Sequence, residues 1–467
     1  MTLHKPGDKV KVVTKEGEKE GIFVNEENNS VFIKLDNGYN IGIDKKNIKK
    51  IEKVGDGKKL EITHRIKLEK KKGLPNITIL HTGGTIASKV DYRTGAVFAS
   101  FSPEDLIGMF PELSEIANFD SKLAASMFSE DMRFKLYSLM AKEIEKEVKK
   151  GVDGIILTHG TDTMGYSAAA LAFMLEDLPI PVIIVGSQRS SDRGSSDAGV
   201  NLICAAEFIA KTDFAGVAIC MHESMEDKTC AIMPPCKTRK LHTSRRDAFK
   251  VVNDTIIARI NFEMSEIATR NPPASAWGKR AISEHAQEHA PPFRAAVLDN
   301  KKIEFIKKDY TRKDKNRKLK VKDEIEEKIA LLKIHPNMHP DQFKSLKGYK
   351  GIVLEGTGLG HAPVGVPNDY CKINKENFKA IEELAKNSVV VMASQTLFGR
   401  VDMNVYSTGR DLLKAGVIPG EDMLPETAFV KLAWLLGNYK KEEVKELIGR
   451  NLRGEINERI MPDEFLE

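Results

Sequence analysis

The sequence predicts an α/β protein in which a small β-barrel precedes two successive α/β units, and three observations carry that expectation. Two Gly-Thr motifs, His81-Thr82-Gly83-Gly84-Thr85 and Thr158-His159-Gly160-Thr161-Asp162, each follow an apolar run and precede a helix-like stretch. Strand-like and helix-like segments alternate over residues 74–260 and again over 328–460, which favours parallel sheets covered on both faces. Residues 1–55 instead carry short, closely spaced strand signals, the pattern of an SH3-like barrel. A length of 467 residues is too long for one ordinary core and suits two or three domains.

Composition narrows the function classes. A chain that is 41% hydrophobic and 30% charged reads as soluble and globular rather than disordered or membrane-embedded. No run approaches the ~20 apolar residues that span a bilayer. The opening Met-Thr-Leu-His-Lys-Pro-Gly lacks the apolar stretch of a signal peptide. A cytoplasmic location without membrane association is the expectation. A formal charge of +5 permits contact with nucleic acid but does not argue for it. The five cysteines, Cys204, Cys220, Cys230, Cys236 and Cys371, are sparse and odd in number, as expected of reduced thiols.

In chain order, the barrel opens with Lys9-Val10-Lys11-Val12-Val13. It continues through Val31-Phe32-Ile33-Lys34-Leu35, an Asp36-Asn37-Gly38 hairpin turn and Tyr39-Asn40-Ile41-Gly42-Ile43, and closes near residues 48–54. Residues 56–73 are lysine-rich and read as a linker or an exposed edge strand. The first α/β unit, 74–262, begins with a strand at 77–80 and the first motif. A helix is expected from Pro103, capped by Ser102, and another over about 131–150. Strand 154–158 leads into the second motif and a helix over about 163–176. Strands at 181–185 and 216–220 flank a helix near 197–209. Residues 263–327 read as an inserted loop followed by a basic linker. Over 307–322 a solvated linker is preferred to a phosphate contact. The second unit, 328–467, has strands at 329–334, 351–354 and 389–392. Its helices are expected over 340–346, 377–386, 408–415, 426–436 and 441–450.

The motifs suggest amide hydrolysis, which needs a nucleophile, a proton acceptor and stabilisation of a tetrahedral oxyanion. Thr85 follows two glycines at a strand end, where backbone can approach a ligand closely. Thr161 offers a second hydroxyl, and Asp162 a carboxylate for a substrate ammonium. Lys240, if buried with a lowered pKa, can serve as a base. His81 and His159 are expected to hydrogen-bond the strand ends rather than act as bases. Zinc on Cys230, Cys236, His222 and His242 fits no standard ligand spacing. Gly356-Thr357-Gly358-Leu359-Gly360-His361 lacks the last glycine of a dinucleotide fingerprint and reads as a loop facing a subunit interface. No P-loop occurs. No metal and no cofactor are therefore expected in this chain.

Residues 74–87 and 158–164 resemble the two signatures of the bacterial-type L-asparaginases, with a good match over about 74–260 and a looser one over 328–440. The resemblance implies a two-domain asparaginase-like fold. It implies Thr85 as nucleophile, Tyr92 as its activating partner, and Thr161, Asp162 and Lys240 as a second catalytic group. Ser129 and Glu130 match the family's substrate loop, Glu130 standing where the family has glutamine. The carboxylate that asparaginases take from a neighbouring subunit has no assigned match, Asp402 and Asn404 being the nearest candidates. With the barrel and the run Gly399-Arg400-Val401-Asp402-Met403-Asn404-Val405-Tyr406, the arrangement resembles the D-type subunits of archaeal glutamyl-tRNA(Gln) amidotransferases. That resemblance implies hydrolysis of L-glutamine, or L-asparagine, with ammonia passed to a partner, the E-type subunit. The partner uses ATP and Mg and contributes most of the contact with Glu-tRNA(Gln). A homodimer within the larger complex is also implied. The alternatives are a free-standing L-asparaginase and a catalytically silent scaffold.

Overall fold

The computed structural model describes residues 4–5, 7–15, 17–27, 29–35, 40–56, 70–83, 88–90, 97–99, 110, 112–189, 196–262, 303–462 and 465. Thr85, Tyr92, the Asp36-Asn37-Gly38 turn, most of the 56–73 linker, the helix expected from Pro103 and the 264–300 insertion lie outside the described residues.

Five antiparallel strands make the N-terminal unit: β1 (Asp8–Thr14), β2 (Gly17–Glu27), β3 (Ser30–Lys34), β4 (Asn40–Asp44) and β5 (Ile48–Asp56), in the order β4-β3-β2-β1-β5. Alternate residues of β1 point inward, and Val10 and Val12 meet Phe23, Val31, Ile33 and Ile43. Irregularities in the β1–β5 and β2–β3 pairings bend the strands, and the unit is barrel-like with a core of its own.

The large sheet holds β6 (Asn76–Gly83), β7 (Asn118–Met127), β8 (Gly154–Thr158), β9 (Pro181–Val185), β10 (Gly216–His222), β11 (Thr229–Met233), β12 (Ala258–Asn261) and β13 (Ile303–Phe305), in the order β13-β12-β11-β10-β9-β8-β6-β7. Neighbours from β7 to β10 are parallel. Every residue of β8 and β9 is buried, as parallel strands covered on both faces require. Ile155, Leu157, Val182 and Ile184 face one cluster, with helices α1 (Phe134–Lys149) and α2 (Met164–Met174). Ile156, Ile183 and Val185 face the other, with α3 (Ala198–Lys211). α1 buries Tyr137, Met140, Ala141 and Ile144, spaced as one helical face.

The second unit is a parallel sheet of β14 (Ile329–Lys333), β15 (Gly351–Gly356), β16 (Val389–Ser394) and β17 (Ile418–Pro419). Its longer helices are α4 (Asn374–Asn387), α5 (Ser407–Ala415), α6 (Pro425–Asn438) and α7 (Lys441–Leu447). α2, Met-Gly-Tyr-Ser-Ala-Ala-Ala-Leu-Ala-Phe-Met, is apolar around most of its circumference and is sandwiched between the large sheet and α6. Phe173 of α2 stacks on Trp434 of α6 with ring centroids 5.5 Å apart and planes at 23°. The same cluster takes in Val353 and Val391, so one apolar core spans both α/β units.

Two expectations need correction. The first sheet is not parallel throughout: β10–β11, β11–β12 and β12–β13 are antiparallel. Among the described residues no helix joins β10 to β11 or β11 to β12, and the six residues between β10 and β11 allow only an antiparallel turn. The basic stretch 307–322 is also not a solvated linker. Residues 303–305 extend the large sheet, and Lys320 and Val321 pair with Glu176 and Leu175. Lys307 pairs with Asp254, Arg312 with Asp213 and Lys320 with Asp177, while Lys313 Nζ donates to the Ile209 carbonyl. Its cations answer acidic groups that sequence places far away. No helix among the described residues is long and apolar enough to cross a membrane.

Lys431 of α6 lies 2.6 Å from Glu455, and both side chains are fully buried. Burial holds the Lys431 amine below its usual range, with Glu455 opposing that shift. Lys431→Met strands a buried carboxylate and is expected to cost about 3–5 kcal/mol in urea unfolding. Lys135→Ala at the exposed Lys135–Glu327 pair should stay within about 0.5 kcal/mol.

Candidate active site

Because β6, β7 and β8 run parallel, their C-terminal ends reach the same edge of the sheet. β6 ends at Gly83, which has φ of +102°, and a Cβ there would collide with Met127 backbone at the end of β7. Only glycine allows that approach, and it brings the first motif beside the chain that continues into Ser129. Ser129, Glu130 and Asp131 form a single 3₁₀ turn, with Ser129 buried and Glu130 exposed. The second motif leaves β8 and turns into α2. A Cβ on Gly160 would stand 2.7 Å from Ser129 Cβ, and Thr163 Oγ1 donates to the Ser129 carbonyl at 2.7 Å. The two loops are thereby fastened together.

The histidines of both motifs are structural. His81 Nδ1 lies 3.0 Å from Thr158 Oγ1 and its Nε2 lies 2.8 Å from Ser121 Oγ. Thr82 Oγ1 donates to the Thr158 carbonyl at 2.8 Å. His159 places Nδ1 2.6 Å from the Gly160 carbonyl and Nε2 2.7 Å from Ser167 Oγ. Next to this turn, Asp197 shapes the loop after β9 by accepting from the backbone of Gln188 and Arg189 and from Ser187 Oγ.

Lys240 arrives from a separate two-stranded ribbon, Thr238–Lys240 paired with Phe249–Val251. Its Nζ donates to Thr161 Oγ1 at 2.9 Å and to Asp162 Oδ1 at 2.7 Å. The Lys240 side chain is 13% exposed and that of Asp162 is 65% exposed. A buried hydroxyl, an exposed carboxylate and an amine thus meet within hydrogen-bond reach, the geometry of a proton relay with one end open to solvent. Thr161, Asp162, Lys240 and Ser129 are brought together as the sequence suggested. Two neighbours of Lys240 carry ion pairs that the local sequence does not signal. Lys237 Nζ donates to Asp422 Oδ2 at 2.6 Å, and Arg239 pairs with Glu426 at 3.0 Å, both acceptors belonging to the second unit. The cluster of basic residues at 237, 239 and 240 was visible, but partners about two hundred positions away carry no local signal.

The zinc alternative does not assemble. His222 spends its two ring nitrogens on Asn201 and Asp227, Cys230 and Cys236 lie in different apolar clusters, and His242 is exposed.

Three family models match the chain: GatD N-terminal domain over residues 4–54, Asparaginase, N-terminal over 76–273, and Glutaminase/Asparaginase C-terminal domain over 328–448. The D subunit of glutamyl-tRNA(Gln) amidotransferase from Pyrococcus furiosus is 45% identical over 98% of this chain and 97% of its own. The chain belongs to this D-subunit family. The Thermococcus kodakarensis member is 44% identical, covering 98% of this chain and 96% of its own. Among solved structures, the thermostable L-asparaginase from Thermococcus kodakarensis is similar with a TM-score of 0.64 and 27% identity. That match covers 82% of this D-subunit chain and 100% of the asparaginase.

Burial holds the His159 imidazole below its usual pKa, against the opposing Gly160 carbonyl contact. In the unfolded chain it titrates near 6.5. As pH falls through that value the unfolded state takes up a proton that the folded state refuses, so stability falls. His159→Asn should therefore lose less unfolding free energy than the native chain between about pH 7.5 and about pH 5 in urea titrations.

Proposed function

We propose that this chain is the glutaminase subunit of a tRNA-dependent amidotransferase that converts Glu-tRNA(Gln) to Gln-tRNA(Gln). The observation that carries the reading is near-full-length similarity to D-subunit chains, N-terminal domain included. The asparaginase structure is matched over its entire length yet covers 82% of this chain. A free-standing L-asparaginase remains the second reading, favoured by that same structural likeness.

In the proposed reaction Thr85 Oγ attacks the side-chain amide carbon of glutamine. The carbonyl becomes a tetrahedral oxyanion, the C–N bond breaks, and the amide leaves as ammonia after taking a proton. Water then hydrolyses the resulting ester to glutamate and restores Thr85. Tyr92 assists the Thr85 hydroxyl. Thr161 and Lys240 relay protons, a role supported by the 2.9 Å contact between them. Asp162, the exposed member, grips the substrate α-ammonium, with Ser129 and Glu130 completing the amino-acid site. The released ammonia is taken up by the E-type partner, which activates Glu-tRNA(Gln) with ATP and Mg. The chain works as a homodimer within that complex, in the cytoplasm, and holds no metal or cofactor of its own.

Ammonia release from glutamine and from asparagine, each with and without the partner and Glu-tRNA(Gln), tests the reading. Strong stimulation by both additions supports the amidotransferase role, and fast asparagine hydrolysis indifferent to them makes the chain an asparaginase. Thr85→Ala should reduce ammonia release by roughly 10³-fold or more, and Lys240→Met by about 10²–10⁴-fold. Unchanged release in Thr85→Ala would refute catalysis by this residue.

A further inference from the structure

The ribbon that carries Lys240 belongs to neither main sheet. Its own ladder, Thr238 with Val251, Arg239 with Lys250 and Lys240 with Phe249, ties it only to itself. Where Lys240 Nζ sits relative to Thr161 therefore depends on what flanks the ribbon. On one side the start of α2 receives it: a Cβ on Gly165 would stand 2.9 Å from the Thr238 carbonyl. On the other side the attachments come from residues 422–427 of the second unit.

Those attachments converge on the residues just before Lys240. Thr427 Oγ1 donates to the Cys236 carbonyl at 2.8 Å. Lys237 donates to Asp422 twice, to Oδ2 at 2.6 Å and to the carbonyl at 3.1 Å, and both side chains are fully buried. Asp422 is itself fixed, because Oδ1 accepts the Asn457 backbone N–H at 3.1 Å. Asn253 Nδ2 reaches the Asp422, Leu397 and Gly399 carbonyls, and the Val252 N–H donates to the Lys237 carbonyl at 2.8 Å. An apolar pair of similar volume would fill this space without fixing a position along it. An ammonium with two set acceptors has one seat, the registry use best attested for buried ion pairs.

We infer that the buried Lys237–Asp422 pair is a positioning device by which the second unit sets the reach of Lys240 to Thr161 and Asp162. Lys237 and Asp422 are positioning residues: they act through Lys240 and touch no substrate. The inference rests on the reading of Lys240 as catalytic given above.

The test is glutaminase kinetics of the full chain with its partner and Glu-tRNA(Gln), with melting temperature measured alongside. Lys237→Met combined with Asp422→Leu removes both charges and leaves neither stranded. We expect kcat to fall on the order of 10²-fold, as for a displacement of about 1 Å, with KM and melting temperature little changed. Adding Lys240→Met to that pair should lower kcat no further than Lys240→Met alone. Lys237→Gln combined with Asp422→Asn, which keeps a polar contact and leaves neither charge stranded, serves the same cycle if the first exchange fails to fold, and should show the same non-additivity. An unaltered kcat in a folded exchange variant, or losses that multiply with Lys240→Met, would overturn the inference. If Lys240→Met alone leaves kcat unchanged, the catalytic reading of Lys240 falls first, and this inference falls with it.

Discussion

The contact of one amine with one hydroxyl and one carboxylate, Lys240 with Thr161 and Asp162, is the constraint around which the molecule is arranged. The hydroxyl and the carboxylate sit where β8 hands over to α2, at a place fixed by the hydrogen bonds of a parallel sheet. The amine comes from a ribbon outside that sheet. Bringing the two within hydrogen-bond distance requires the second unit to press on the ribbon from behind, and the core shared through Phe173 and Trp434 to hold the second unit in place. The geometry of this cluster and the packing of the two units are thus one problem here. The Ser129 loop is fastened by the same economy of means, with Gly160 and Thr163 both meeting Ser129.

Much of this was legible in the residues. Runs such as Gly154-Ile155-Ile156-Leu157 and Pro181-Val182-Ile183-Ile184-Val185 are strands because a doubly covered parallel sheet leaves them no polar face. The Gly-Thr motifs announced their own positions, since glycine is needed where a strand end must approach another backbone. β7, which leads into Ser129, left almost no trace. It is an edge strand, half-exposed along Asn118–Met127, so it has neither an apolar run nor a clean alternation. The antiparallel half of the large sheet was missed for a related reason: Thr229–Met233, Ala258–Asn261 and Ile303–Phe305 are short strands that begin where the regular alternation stops.

Charge was the least legible property. Nine basic residues stand between 307 and 322, and read alone they look like a solvated tether. In the fold three of them, Lys307, Arg312 and Lys320, strap the first unit by pairing with Asp254, Asp213 and Asp177, carboxylates scattered over the chain. Nothing in the residues around Lys237 points to its partner Asp422, which lies 185 positions away. A titratable side chain announces its chemistry in sequence but not its counter-ion, and here the counter-ion decides whether a lysine is a tether, a strap or a seat.

The shared core also determines how the molecule comes apart. α2 is apolar on nearly every side, and its cover is supplied by the large sheet, by α1 and by α6 of the second unit. Peeling away the second unit would bare that helix to water, so neither α/β unit is a separable module and both belong to one cooperative block. The barrel-like unit stands apart in this respect, since Val10, Val12, Phe23, Val31, Ile33 and Ile43 bury one another and join no other cluster. The chain is consequently built as one attachable piece and one indivisible machine, and recombination can shuffle the first far more readily than it can divide the second.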